Sequence, residues 1–401
     1  MEQRTKRSLD TGIANYLIRG KNGIAFLLGL ILTGALQPVS AQNVRKYSND
    51  FLTIGVGAKA FAMSGAVVSL TDDVTAGYWN PAKLVNVKDN LQATFMHAAY
   101  FGGIANYDYG AVAFGGKENA GYGLSFIRMG VDGILNTINL IENGEINYSR
   151  VSSFSAVDFA LTGSMGQKIH LRGYKNLDMA WGTNAKIIRR RGGEFAKAWG
   201  FGLDASFYVK NTKNGWGYAA TLYDATSTFT GWRFDMDALS VGGNKDYARE
   251  VFAVTGNEIP VNSLEITLPR LLTGVSKTIT KENLTLSLET DLEITFDGRR
   301  NTLIKTGVFS IGPRTGFEAS YSFNEDTKVA LRGGVGNYQR ILNAKGDKNR
   351  LYLLPSAGVG IQLKSFSLDY AIANFAGGGT VLYSNVFSIR FNLNNQEPAK
   401  K

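Results

Sequence analysis

The sequence predicts an all-β fold, a closed transmembrane β-barrel of fourteen antiparallel strands, and three observations carry the prediction. First, apolar and polar residues alternate with period two in long runs from residue 90 onward. In residues 284–296, Leu284, Leu286, Leu288, Leu292, Ile294 and Phe296 face one way, and Thr285, Ser287, Glu289, Asp291 and Glu293 the other. Three acidic residues on one face suit a wet lumen better than the inside of a soluble sandwich. Second, the connections sort by length: short ones (117–118, 212–215, 281–283, 325–326, 364–365) alternate with long ones (130–150, 225–262, 297–313, 338–350), as in outer-membrane barrels. Third, 47 Gly against 7 Pro in 401 residues favours strands and tight turns over a helical bundle.

Residues 1–41 read as a signal peptide. Arg4, Lys6, Arg7, Arg19 and Lys21 precede an apolar run at 24–36 that ends in Val39-Ser40-Ala41. The run is too short to span a bilayer, and Gln42 rather than Cys follows, so neither a membrane helix nor a lipid anchor is expected. No later apolar run reaches the ~18 residues a spanning helix needs. An exported chain with 44% hydrophobic residues is then either soluble or a barrel, and the alternation selects the barrel.

The expected strands are 90–100, 104–116, 119–129, 151–166, 178–191, 197–210, 216–224, 263–280, 284–296, 314–324, 327–337, 351–363, 366–375 and 381–393, with 303–311 read as loop. Closure removes the sheet edges that hydrocarbon would leave unpaired. An even strand count places both mature termini on the periplasmic side of an outer membrane. The last strand ends in Phe387, Phe391 and Leu393, which resembles the terminal assembly signal of outer-membrane barrels, and residues 394–401 form a polar tail.

Residues 42–88 precede the first strand and are of different character. Small residues (Gly55, Gly57, Ala58, Ala60, Ala62, Ser64, Gly65, Ala66) interleave with single apolar ones, followed by Asp72-Asp73 and by Trp79-Asn80-Pro81-Ala82. Small residues let backbone approach backbone, and Pro81 excludes Asn80 from helical geometry, so a compact, sharply ended unit is expected.

This stretch resembles the N-terminal hatch of FadL-type outer-membrane transporters, which folds back to plug the lumen. It is more similar still to the PorV/PorQ branch found in Bacteroidetes, through Tyr47, Ser48, Asn49, Phe51, Leu52, Ile54, Gly55, Val56, Gly57 and Ala58. The motif similarity covers residues 47–84, with Lys59 where Arg is expected and Lys83 where Gly is common. The resemblance implies a FadL-like fourteen-stranded barrel plugged by the hatch (42–88) ahead of the barrel proper (89–393). It also implies a non-enzymatic adaptor of the type IX secretion system, which binds the translocon barrel and/or the C-terminal signal domain of exported cargo and passes it to the attachment machinery at the cell surface. A FadL-like channel for hydrophobic small molecules is the alternative, and a purely structural barrel a third reading.

Little in the residues supports catalysis. Cysteine is absent, which excludes thiolate chemistry and disulfides, and the two histidines, His97 and His170, fall in a strand and a turn. No phosphate-binding loop occurs, Gly55-x-Gly57-x-x-Ala60 precedes no strand-helix-strand unit, and no nucleic-acid motif accompanies the net charge of +10. No cofactor, metal or nucleic acid is expected. Asp72 and Asp73 are read as caps of the hatch's turns, and with Gly55, Gly57, Trp79, Asn80 and Pro81 as its structural fasteners. Glu289, Asp291 and Glu293 are expected to pair with lumen Lys or Arg. Arg189, Arg190 and Arg191, at the outer end of the fifth strand, are either a solvated face or a contact for lipid and lipopolysaccharide phosphates. The 225–262 loop, with Phe229, Trp232, Phe234, Met236, Tyr247 and Phe252, is either a partner surface or a cover folded over the barrel mouth.

Overall fold

The computed structural model describes residues 48–393 apart from 88–90, 101–102, 116–118, 143–144, 172, 240–245, 257, 299, 301, 343–348 and 374–383. The expected signal peptide, Tyr47 and the polar tail lie outside the described residues.

Alternation folds the chain into fourteen antiparallel strands, each hydrogen-bonded to the next. They are β1 Leu91–Tyr100, β2 Ala105–Gly115, β3 Ala120–Asn136, β4 Ser152–Ile169, β5 Leu177–Gly192, β6 Ala196–Asn211, β7 (Trp216–Tyr223 and Thr228–Phe234), β8 (Ser263–Thr267 and Arg270–Lys281), β9 Leu284–Thr295, β10 Ser310–Ser322, β11 Thr327–Leu342, β12 Asn349–Leu363, β13 Phe366–Ala373 and β14 Ser384–Leu393. β14 pairs with β1 from Leu91↔Leu393 to Ala99↔Asn385, which closes the barrel. On β6, Trp199, Phe201 and Leu203 are exposed on the outside while Gly200, Asp204 and Ser206 are buried inside. An apolar exterior on a closed sheet with a polar interior is the pattern of a barrel facing lipid.

Two departures from the sequence reading matter. Within 303–311, Ile304–Lys305 forms a short strand against β10. More important, Thr228–Phe234 is strand, so Phe229, Trp232 and Phe234 belong to the barrel wall and not to a loop. The period-two pattern is hidden there because Asp224 and Ser227 both take positive φ (53° and 61°), which interrupts β7 before the alternation resumes at Thr228. β8 is interrupted at the same level, at Leu268-Pro269, where Pro269 has no N–H to donate to the ladder.

Residues 48–87 lie inside the barrel. They form a 3-10 turn at Asp50–Leu52, α1 Ala58–Ala62, α2 Ala76–Trp79 and a 3-10 helix at Pro81–Asn86. Val56, Ala58, Ala62, Met63, Val67, Val68 and Leu84 are fully buried, in one core with Met96, Tyr107, Tyr109, Ile188 and Leu272 of the wall. The approach is closer than side chains would permit. A Cβ added to Gly121 would stand 2.2 Å from the Leu84 carbonyl oxygen, one at Gly166 2.4 Å from the Pro81 oxygen, and one at Gly182 2.2 Å from the Ala82 nitrogen. On the opposite wall a Cβ at Gly334 would lie 2.3 Å from the Met63 carbonyl carbon. The hatch therefore rests on glycine seats built into β3, β4, β5 and β11.

Gly166→Val and Gly182→Val should each unseat the 3-10 helix at Pro81–Asn86 at a cost of ~1–3 kcal/mol or more. Limited proteolysis of the folded barrel would then cut within residues 48–87 well before the parent. Gly110→Ala, whose added Cβ meets nothing within 4 Å, should leave the cleavage rate unchanged.

Candidate functional site

The hatch is fastened first to itself. Gly55 and Gly57 have φ of 101° and 86°, and a Cβ on Gly55 would press to 3.0 Å from the Trp79 ring, so the indole packs flat over that turn. Trp79 Nε1 donates to the Val56 carbonyl at 2.9 Å and Tyr78 OH to the Leu52 carbonyl at 2.7 Å. Asn80 stands in extended conformation before Pro81. Its Oδ1 accepts from the Ala82 N–H (3.1 Å), and its Nδ2 donates to the carbonyls of Val68 (3.1 Å) and Phe207 (3.3 Å). The wall answers: Thr221 Oγ1 and Tyr223 OH donate to the Trp79 carbonyl at 2.9 and 3.1 Å, and Ser206 Oγ accepts from Ala82 N–H at 2.9 Å.

The acidic stripe of β9 supplies the second fastening. Asp291 Oδ2 accepts from the amides of Val67 (3.0 Å) and Val68 (3.2 Å), while Glu289 accepts from Ser69 (2.5 Å) and Leu70 (2.9 Å) through its two oxygens. Four consecutive hatch amides thus end on two fully buried acidic side chains of one strand face, which gives each N–H an acceptor inside the lumen. Only Glu293 behaves as a lumen ion-pair partner of the kind expected from the sequence, binding Arg270 and Arg314. Glu289 and Asp291 serve backbone instead.

The two aspartates of the hatch part company. Asp73 is buried, accepts from Thr75 N–H (2.9 Å) and Thr75 Oγ1 (2.6 Å), and pairs with Arg390 of β14. Burial pushes its carboxyl up, but Arg390 and Lys59 outweigh this and hold it below the usual carboxylate range. Asp72 is exposed, and its charge acts on Lys59 and Lys83. Lys59 reaches Glu318 at 3.4 Å. Lys83 is 3% exposed, donates to the Ser69 carbonyl at 2.5 Å and lies 4.2 Å from the Tyr208 ring centroid. Burial lowers its pKa to about 8 against the opposing pull of Asp72 and Glu289.

The six residues assigned to the large loop divide. Phe229 faces outward, 47% exposed. Trp232 and Phe234 face the lumen with rings stacked at 5.8 Å, and Trp232 Nε1 donates to Glu265 at 2.6 Å. Met236 is buried in the 3-10 turn Met236–Leu239, and Tyr247 and Phe252 are half-buried on α3 Tyr247–Val254, with Tyr247 OH donating to the Ile141 carbonyl at 3.2 Å. The arginine run divides for a simpler reason, because neighbouring residues on a strand point to opposite faces. Arg190 points into the lumen, where it holds Asp158 through two bonds of 2.9 and 3.1 Å, so it makes no lipid contact. Arg189 lies outside over the Trp199 ring (4.7 Å), and Arg191 outside with Nε on the Gly193 carbonyl (2.8 Å). His97 is also outside, 2.7 Å from Asp108, and among the described residues no His, Asp or Glu cluster is placed to hold a metal.

A cavity of about 30 Å³ lies at the break in β7 and β8, lined by Asn49, Leu52, Lys186, Asp224, Pro269 and Arg300 among others. It has room for a water or two. Ser48 and Asn49 sit beside it, bonded to Thr267 Oγ1 at 2.8 Å each.

No protein-family model and no curated protein matches this chain. Among solved structures it is similar to the monoaromatic hydrocarbon channel CymD, with a TM-score of 0.50 and 10% identity over 86% of this chain and 99% of that one. A Pseudomonas aeruginosa FadL homologue (TM-score 0.48, 13% identity, 84% and 98%) and the Ralstonia pickettii toluene transporter TbuX (0.48, 12%, 85% and 99%) are also similar. The fold is that of the FadL-type barrels.

Two measurements check this geometry. In the double variant Glu289→Ala/Asp291→Ala the amides of residues 67–70 should lose at least about ten-fold of their hydrogen-exchange protection, the equivalent of ~1.4 kcal/mol, while β-strand amides keep theirs. Lys83 has a folded pKa of about 8, below its ordinary value of 10.5. Its charged form therefore opposes docking below pH 8, and the penalty lifts as pH rises from 8 to 10.5. The unfolding midpoint of the parent relative to Lys83→Met should climb across that window, and a constant difference would contradict the assignment.

Proposed function

We propose that the chain works in transport at the outer membrane, passing hydrophobic small molecules along a lumen that the hatch closes. The observation that carries this reading is the wall break beside the hatch: β7 and β8 are interrupted at one level, next to Asn49 and Leu52. The FadL-type architecture, shared with a monoaromatic hydrocarbon channel, supports the same reading. The cavity at the break is of water size, so passage on this account requires the hatch to shift.

A second reading rests on other residues. The adaptor function in type IX secretion is supported by the opening from Tyr47 to Ala58 and by the connection after β7, where Tyr247 and Phe252 are half-buried beyond the end of the strand. On that reading the chain binds the translocon barrel or cargo signal domains and does no covalent chemistry.

The two separate in one pair of assays. Reconstituted vesicles should take up labelled fatty acid or a monoaromatic hydrocarbon above empty vesicles, and purification from native membranes should bring neither translocon nor cargo. Background uptake together with a co-purifying translocon, lost when residues 236–256 are deleted, would replace the transport reading with the adaptor one.

A further inference from the structure

Among the described residues, most cations inside this barrel stand beside carboxylates, and one patch of cations on its exterior does not. Inside, Lys186 is matched by Asp204 and Asp224, Arg190 by Asp158, Arg270 and Arg314 by Glu293, Arg332 by Glu318 and Asp369, and Arg390 by Asp73. Outside, β5, β6 and β7 place three exposed cations in direct register: Arg191 opposite Lys197, and Lys197 opposite Arg233. Residues so paired have Cβ atoms ~5 Å apart, and like charges there repel. Arg189, one outward position below Arg191, adds a fourth cation over the Trp199 ring. Among the described residues no carboxylate forms an ion pair with any of the four, although Glu194 and Asp235 are exposed nearby.

Their height on the wall is as informative as their charge. Each strand's outward apolar run stops where its cation begins: Ile187 before Arg189 and Arg191 on β5, Leu203, Phe201 and Trp199 below Lys197 on β6, and Phe229 below Arg233 on β7. The cations therefore stand at the edge of the lipid-facing belt, at the barrel end that carries the long connection 235–262. That is the level of lipid phosphates, with the acyl-chain surface directly beneath.

We propose that Arg191, Lys197 and Arg233, assisted by Arg189, form a binding site for a phosphate-bearing glycolipid of the leaflet around that end. The guanidinium forks of Arg191 and Arg233 suit phosphate oxygens, Lys197 supplies a point charge between them, and Trp199, Phe201 and Phe229 receive the acyl chains. The anion relieves the repulsion within the register triplet. An acidic peptide fits less well, because the surface continuous with the cations is apolar wall and not a groove.

Native mass spectrometry of the detergent-purified barrel with added lipid A tests this. The parent should retain bisphosphorylated lipid A at least ten-fold better than Arg191→Gln/Lys197→Gln/Arg233→Gln, and better than it retains dephosphorylated lipid A. Millimolar inorganic phosphate should not displace it, since the acyl chains contribute. Because a triple variant can fail to assemble, the parent's own retention is also followed from 0.05 to 0.5 M NaCl and should fall steeply. Equal retention of phosphorylated and dephosphorylated lipid, salt-independent retention, or displacement by inorganic phosphate or by an acidic peptide alone overturns the site.

Discussion

Four consecutive backbone amides, from Val67 to Leu70, end on the carboxylates of Glu289 and Asp291, and the rest of the hatch depends on that arrangement. A segment folded into a barrel has no sheet of its own to satisfy its N–H groups, and a buried amide without a partner costs ~1–3 kcal/mol. The wall must therefore provide acceptors at fixed heights. β9 does so because the period of two puts Glu289 and Asp291 on the same face one pleat apart. Ser206 repeats the device by accepting from the Ala82 N–H, and Thr221, Tyr223 and Arg390 supply the converse, donating to the Trp79 carbonyl and the Asp73 carboxylate, each from a lumen-facing position.

Glycines make the same contact possible from the steric side. Gly121, Gly166 and Gly182 let the 3-10 helix at Pro81–Asn86 lie with its backbone against the backbone of three strands, and the small residues of the hatch do the same from within. The plug is thus held by polar bonds and close backbone packing as well as by the apolar core it shares with the wall. The cavity beside the wall break has room for water but not for a hydrocarbon, so transport through it has to include movement of the hatch.

Most of the barrel was legible because one face of each strand meets lipid, which enforces strict alternation. Residues 284–296 and 366–375 were read almost as they stand, as Leu284–Thr295 and Phe366–Ala373. The errors fall where backbone geometry breaks the period: β3 continues to Asn136 through a register shift after Val131, β11 to Leu342 through one after Gly336, and β7 resumes after two positive-φ residues. In the hatch, the motif residues Trp79, Asn80 and Asp73 stood out by composition, but their partners on the wall did not. Asp73 and Arg390 lie 317 residues apart, and Asn49 and Thr230 181 apart, distances over which one sequence carries no pairing signal. Of the Arg189 to Arg191 run, the pleat turns Arg190 to Asp158 in the lumen and leaves Arg189 and Arg191 outside, where the cations they join lie on two neighbouring strands that the linear sequence does not connect.

The central claim is that residues 48–87 are a plug whose seating on the wall closes the lumen. Ser69 and Ser276 face each other across the contact with their Oγ atoms 2.8 Å apart, and the chain has no native cysteine to interfere. The most direct measurement is uptake of a labelled fatty acid by vesicles carrying Ser69→Cys/Ser276→Cys. The account predicts that the bond forms readily in the folded barrel, that uptake falls to the empty-vesicle level while it is closed, and that a reductant restores it. Failure to cross-link in the folded barrel, or full uptake with the bond intact, would contradict it.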